Sequence, residues 1–112
     1  MDCLFCGIAA GRIEARRLFE DDDVIAFDDI RPVAPTHVLV IPRRHIASLA
    51  ALSSEDWPVM TRCLQVVVAL TERLGLVEGF RVVANTGPDG GQTVDHFHWH
   101  LLAGRAMDWP PG

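Results

Sequence analysis

His96-Phe97-His98-Trp99-His100-Leu101-Leu102 carries three of the chain's five histidines at every second position, with large apolar residues between them. In a β-strand successive side chains point to opposite faces. The spacing therefore predicts three imidazoles on one face, about 6–7 Å apart, with Phe97, Trp99 and Leu101 on the other. A helix would scatter them. Packing gains nothing from three neighbouring groups that titrate near neutrality and repel one another once charged. Such a face reads as a metal site or as a site for an anion such as phosphate.

Around that strand lies a chain of 112 residues, expected to form a single domain over 1–112. A domain of this size buries roughly two thirds of its unfolded surface and needs no disulfide staples. An apolar fraction of 49% supports a compact core, and a net charge of −5 argues against gripping long nucleic acid, which takes a basic face. Small charged ligands stay open. Nothing near Met1 resembles a signal peptide, since Asp2 and Cys3 stand where a basic start would be, and no stretch reaches the ~18 apolar residues that span a bilayer. The expectation is a cytoplasmic, soluble protein with neither nucleic-acid nor membrane partners. In a reducing compartment Cys3 and Cys6, spaced C-x-x-C, read as a metal half-site or redox pair rather than a staple.

Periodicity and turn residues predict an α+β fold, an antiparallel sheet of about five strands crossed by one long helix. Cys3 to Ala10 reads as a short N-terminal helix stopped by Gly11, followed by strands over Arg17 to Phe19 and Val24 to Phe27. Two prolines make the stretch from Asp28 to Pro35 a loop. His37 to Ile41 is a strongly apolar strand. Ser53 or Ser54 is expected to cap the long helix, with Glu55 and Asp56 in its first turn and a helical apolar stripe of Met60, Leu64, Val67, Val68 and Leu74 ending at Gly75. Cys63 lies on its apolar side as a packing residue. Phe80 to Asn85 is the next strand, and Ala103 onward is an irregular tail.

Gly-rich residues from Gly87 to Thr93 lead directly into the histidine strand. Glycines let backbone N–H groups turn toward an anion, and Gln92 and Thr93 add side-chain donors at the loop's exit. Cradle and histidines together resemble the His-x-His-x-His-x-x signature, with x hydrophobic, of the histidine triad (HIT) nucleotide hydrolases and transferases. The resemblance runs through Phe27-Asp28-Asp29-Ile30, Pro35-Thr36-His37, Ile41-Pro42-Arg43-Arg44-His45, Asn85, Gly90-Gly91-Gln92-Thr93 and Trp109-Pro110-Pro111-Gly112. The tail and the short length are similar to the Hint branch, whose members hydrolyse adenosine phosphoramidates.

The resemblance implies the HIT-like fold and a hydrolase acting on phosphorus–nitrogen bonds of purine nucleoside 5'-phosphoramidates. His98 would be the nucleophile that is transiently nucleotidylated, a role open to a neutral imidazole. His100 and Thr93 would bind phosphate oxygens, with Gln92, Gly91 and the loop amides assisting and His37 behind the triad. Asp29 would accept the ribose hydroxyls. Leu4, Phe5, Ile8, Phe27 and Ile30 would form the purine slot, and Asn85 belongs to the same nucleotide-binding set. Bacterial members bearing cysteines at matching positions imply structural zinc at Cys3, Cys6, His45 and His96, a set suited to tetrahedral coordination, with no cofactor needed for catalysis. Asp95 and Asp108 depart from the eukaryotic pattern and leave the leaving-group preference open. A homodimer is implied, with the Trp109 tail reaching the partner's site. Other readings are a dinucleoside polyphosphate hydrolase or nucleotidyl transferase using the same triad, a zinc enzyme with the three histidines as ligands, and a nucleotide-binding module without turnover.

Overall fold

The computed structural model describes residues 3–112; the reading of Met1 and Asp2 as free of a targeting signal lies outside them. Leu4–Ala9 forms a short helix, α1, whose first turn is capped by Cys3: its Sγ accepts the Cys6 backbone N–H at 3.3 Å. Strands β1 (Arg17–Glu20), β2 (Val24–Asp28) and β3 (Thr36–Pro42) follow, then the long helix α2 (Trp57–Arg73), β4 (Arg81–Val83) and β5 (Trp99–Ala103). They make one five-stranded antiparallel sheet in the order β1-β2-β3-β5-β4. The α+β fold expected from periodicity is the one observed.

β2 and β3 are buried almost end to end because both faces of the sheet are covered. On one face Val24, Ala26, Val38, Val40 and Leu101 pack against Met60, Cys63, Val66, Val67 and Leu70 of α2. On the other, Ile25, Phe27, Leu39 and Ile41 pack against Phe5 and Ile8 of α1. The second face also carries His37 and His100, which lie beside each other across β3 and β5. Thus the sheet's centre is an apolar slab that holds a row of histidines at its rim.

Four local expectations change. The histidine strand begins only at Trp99, because Phe97 N–H leaves the sheet for the Ile46 carbonyl at 2.6 Å and the His96 carbonyl is taken by the His98 ring. β4 is three residues long instead of six. Asp56, not Ser53 or Ser54, stands at the N-cap of α2, and its carboxylate accepts from Ser53 N–H, Ser53 Oγ–H and Arg44 rather than from the helix. Leu64, Val68 and Leu74 face solvent, the buried stripe being Met60, Cys63, Val66, Val67 and Leu70. More than half of the α2 circumference is apolar, so periodicity alone does not say which arc meets the sheet. Among the described residues, no helix is long and apolar enough to cross a membrane.

Candidate active site

A neutral imidazole carries one N–H, and here the chain decides which nitrogen holds it. His98 Nδ1 lies 2.7 Å from the His96 carbonyl, which accepts a proton and donates none; His98 therefore bears its hydrogen on Nδ1 and a lone pair on Nε2. His37 receives the Val33 backbone N–H on Nδ1 at 3.1 Å, so its hydrogen sits on Nε2. That N–H donates to His100 Nδ1 at 2.9 Å, which places the His100 hydrogen on Nε2. His100 Nε2 is buried and has no partner among the described residues. A lone pair on His98 and an unspent donor on His100 stand side by side, their ring centroids 4.8 Å apart.

Burial disfavours the charged form of His100 and His37. It pushes His100 down to about 4, helped by His98 and His37 and opposed by Asp29, and it lowers His37 against the pull of Asp29. Asp29 is two contacts at once: one carboxylate oxygen accepts the Arg31 N–H at 2.8 Å, and the other lies 3.4 Å from His37 Nε2. Phe5 sets its ring edge-on to both His96 and His98, at 5.9 and 5.0 Å between centroids. The two histidines thus share a side, as the period-two spacing predicts, although neither lies in the ladder.

The glycine loop is tight. A Cβ at Gly90 would collide with the Thr86 carbonyl, so the turn closes only with glycine there. Gln92 does not present the donor expected of it: its Oε1 accepts Gly87 N–H at 3.0 Å, and its Nε2 donates to the carbonyls of Ala47 and Val94 at 2.7 and 3.0 Å. It braces the loop from within. Thr93 and Gly91 are exposed at the loop's exit and Asn85 is half-buried. The expected purine group divides in two. Phe5, Ile8 and Phe27 are closed into the core, whereas Leu4 is 44% and Ile30 86% exposed, apolar surface open to a ligand.

Cys3, Cys6, His45 and His96 converge from α1, the segment after β3 and the segment before β5, with one ligand-type atom from each within 4.8 Å of the others. His96 Nδ1 lies 3.3 Å from Cys3 Sγ and 3.5 Å from Cys6 Sγ, and His45 Nδ1 lies 3.4 Å from Cys6 Sγ. Tetrahedral zinc with thiolate and imidazole ligands sets its ligand atoms about 3.3–3.8 Å apart. His96 also donates its Nε2–H to the Pro42 carbonyl at 2.8 Å, which leaves the Nδ1 lone pair facing the thiols. The donor set fits the metal. Burial, then the neighbouring Cys3, pushes the Cys6 thiol up, an effect a bound cation would reverse.

HIT domain, as a family, matches residues 10–107 of the sequence. The chain belongs to the HIT domain family. An uncharacterised HIT-like protein of Synechococcus elongatus is 47% identical over 111 residues, covering 99% of this chain and 97% of that protein. Adenylylsulfatase HINT1 of Arabidopsis thaliana is 41% identical, covering 97% of this chain and 76% of that one. The crystal structure of a HIT family hydrolase from Legionella pneumophila superposes with a TM-score of 0.96 at 48% identity, over 99% of this chain and all of that one. Within the HIT domain, sequence reading missed Val33, which acts through its backbone and so leaves no residue signature, and the Asp29–His37 contact, which joins residues eight apart across the loop.

Proposed function

We propose that this HIT domain, residues 1–112 acting as one unit, is a Hint-branch hydrolase that cleaves purine nucleoside 5'-phosphoramidates through a nucleotidyl group carried on His98. The observation that supports it most is the fixed pair of tautomers: His98 Nε2 holds a lone pair while His100 Nε2–H is buried without a partner among the described residues. In the first step His98 Nε2 attacks the α-phosphorus, a P–N bond to the ring forms, and the P–N bond to the amine breaks. The amine departs with a proton taken from solvent along a path lined by Thr93 and His100. In the second step water adds to the same phosphorus and returns a proton along that path, the ring nitrogen leaves with its lone pair, and the nucleoside monophosphate is released. His100 Nε2–H and the exposed Thr93 at the loop's exit offset charge on the equatorial oxygens, while the Gly91 and Gln92 N–H groups are given to the Pro88 and Gly87 carbonyls and hold the loop's shape.

Asp29 retains lone pairs for the ribose hydroxyls beyond the one given to Arg31, and Leu4 and Ile30 offer faces for the base. Zinc at Cys3, Cys6, His45 and His96 would tie α1 to the segment that carries His98 and supply coordination bonds there, not chemistry on the substrate. A homodimer in the cytoplasm completes the reading. Its support is apolar surface left uncovered on α2 and beside β4: Trp57, Leu64, Val68 and Phe80.

A second reading, hydrolysis of other adenylates with the same covalent chemistry, is favoured by the similarity to the Arabidopsis adenylylsulfatase. One assay separates the two. A panel of amide, sulfate, acyl and dinucleoside polyphosphate adenylates is ranked by kcat/KM, and the amide is expected to lead. A sulfate or dinucleotide substrate ahead of it by tenfold would replace the first reading with the second.

A further inference from the structure

Val33 decides the proton on His37, yet little of its own holds it. Its side chain is exposed, it lies between Pro32 and Pro35 in a loop outside the sheet, and its N–H is spent on His37 Nδ1. The contact that fixes it comes from the other end of the chain. Arg105 Nε donates to the Val33 carbonyl at 3.0 Å, and Arg105 Nη1 donates to the Ala106 carbonyl at 3.1 Å, so the guanidinium is anchored on the tail and closes on the loop. Gly104 brings the tail into range. Its φ is +94°, and a Cβ there would stand 2.7 Å from Pro35 Cβ, so only glycine lets the chain lie this close over the loop.

We infer that Arg105 is a positioning residue for the reaction, clasping Val33 so that His37 and, through it, His100 keep the protons that catalysis uses. Freed from Arg105, the Val33 amide moves away from His37 Nδ1 and the other tautomer becomes accessible. A lone pair on His37 Nε2 would then face His100 Nδ1 across 2.9 Å. Two acceptors at that distance repel, and the His100 hydrogen shifts to Nδ1 to relieve them. The donor on His100 Nε2 is lost. Asp29, 3.4 Å from His37 Nε2, still favours the working tautomer, so the expected loss is partial.

This inference rests on the catalytic reading above, but two of its readouts need no substrate. Arg105 is exposed, so Arg105→Ala should fold normally. In ¹⁵N-histidine spectra the variant should show His37 as a mixture of tautomers, and amide exchange at Val33 should quicken about tenfold, the size of one hydrogen bond. With phosphoramidate, kcat should fall about tenfold while KM changes less than about twofold, as expected of a contact felt in the transition state. Arg105→Lys, whose ammonium reaches the Val33 carbonyl, should return most of all three. A merely structural role would lower the melting temperature and leave the His37 tautomer and Val33 exchange at wild-type values; that result overturns the inference. If neither protein turned over any phosphoramidate, the proposed function would fail while the two spectroscopic readouts still decided the role of Arg105.

Discussion

Burial disfavours charge on His100 and His37, and the residue-scale consequence is a dependence of stability on pH. Folded His100 stays neutral down to about 4, while an unfolded histidine takes up its proton near 6.5. Between those values the unfolded chain binds more protons than the folded one, so stability is lost as pH falls from 6.5 toward 4. His37, lowered by the same cause, acts in the same direction. Urea midpoints measured at pH 7 and pH 5 should show the loss, and His100→Gln should flatten it. Equal midpoints in the wild-type protein at the two values would show that the rings are not held neutral. Cys63 shows burial acting on the opposite kind of group: fully enclosed under the sheet, its thiol is pushed up to about 12 and packs as a small apolar side chain.

At the scale of elements, α1 is too short to hold itself in place. Apolar contacts of Phe5 and Ile8 dock it, and the Cys3, Cys6, His45 and His96 cluster joins it to the segment before β5. Protein purified without chelator should therefore carry about one zinc per chain, as expected of a four-ligand site. Cys3→Ala combined with Cys6→Ala should abolish the metal and lower the melting temperature; full occupancy after both changes would show the assignment to be wrong. Much of this architecture was legible in the sequence. Apolar runs bounded by turn residues placed β2 and β3, and the shared side of His96, His98 and His100 followed from period two even though the ladder starts late. What was not legible has a common cause. The start of β5 is set by Ile46 taking the Phe97 amide, and the loss of Gln92 as a phosphate donor by the carbonyls of Ala47 and Val94. These are backbone partners from distant segments, which no residue pattern records. The buried arc of α2 is hidden for a different reason: with Leu64 and Val68 adjoining it, the sequence offers two apolar faces for one sheet.

For the whole molecule, that surplus face is the feature to explain. Leu64 and Val68 are 43% and 55% exposed on α2, Phe80 beside β4 is 47% exposed, and β4 is an edge strand among the described residues. Two copies joined along α2 and β4 would cover all of them. Sedimentation at micromolar concentration should give a dimer, and Leu64→Glu with Val68→Glu should give a folded monomer, because the charges fall on surface that is already open to solvent in one chain. A wild-type monomer under those conditions would remove the dimer from the account. The tail would be affected with it: Trp109, 82% exposed in the single chain, is expected to gain contacts from the second copy.

The central proposal is that His98 Nε2, left with its lone pair by the Nδ1 contact to the His96 carbonyl, bonds phosphorus. The most direct measurement is the mass of the protein quenched in acetonitrile at neutral pH within milliseconds of mixing with a slow phosphoramidate. A transient species should appear, heavier than the chain by one nucleoside monophosphate, mapped by peptide sequencing to His98, decaying at the rate of product release and lost on acidification as a P–N bond requires. No such species should form in His98→Asn, whose turnover should be down by at least ~10⁴-fold. An adduct on another residue, or turnover at near wild-type rate in His98→Asn, would contradict the proposal.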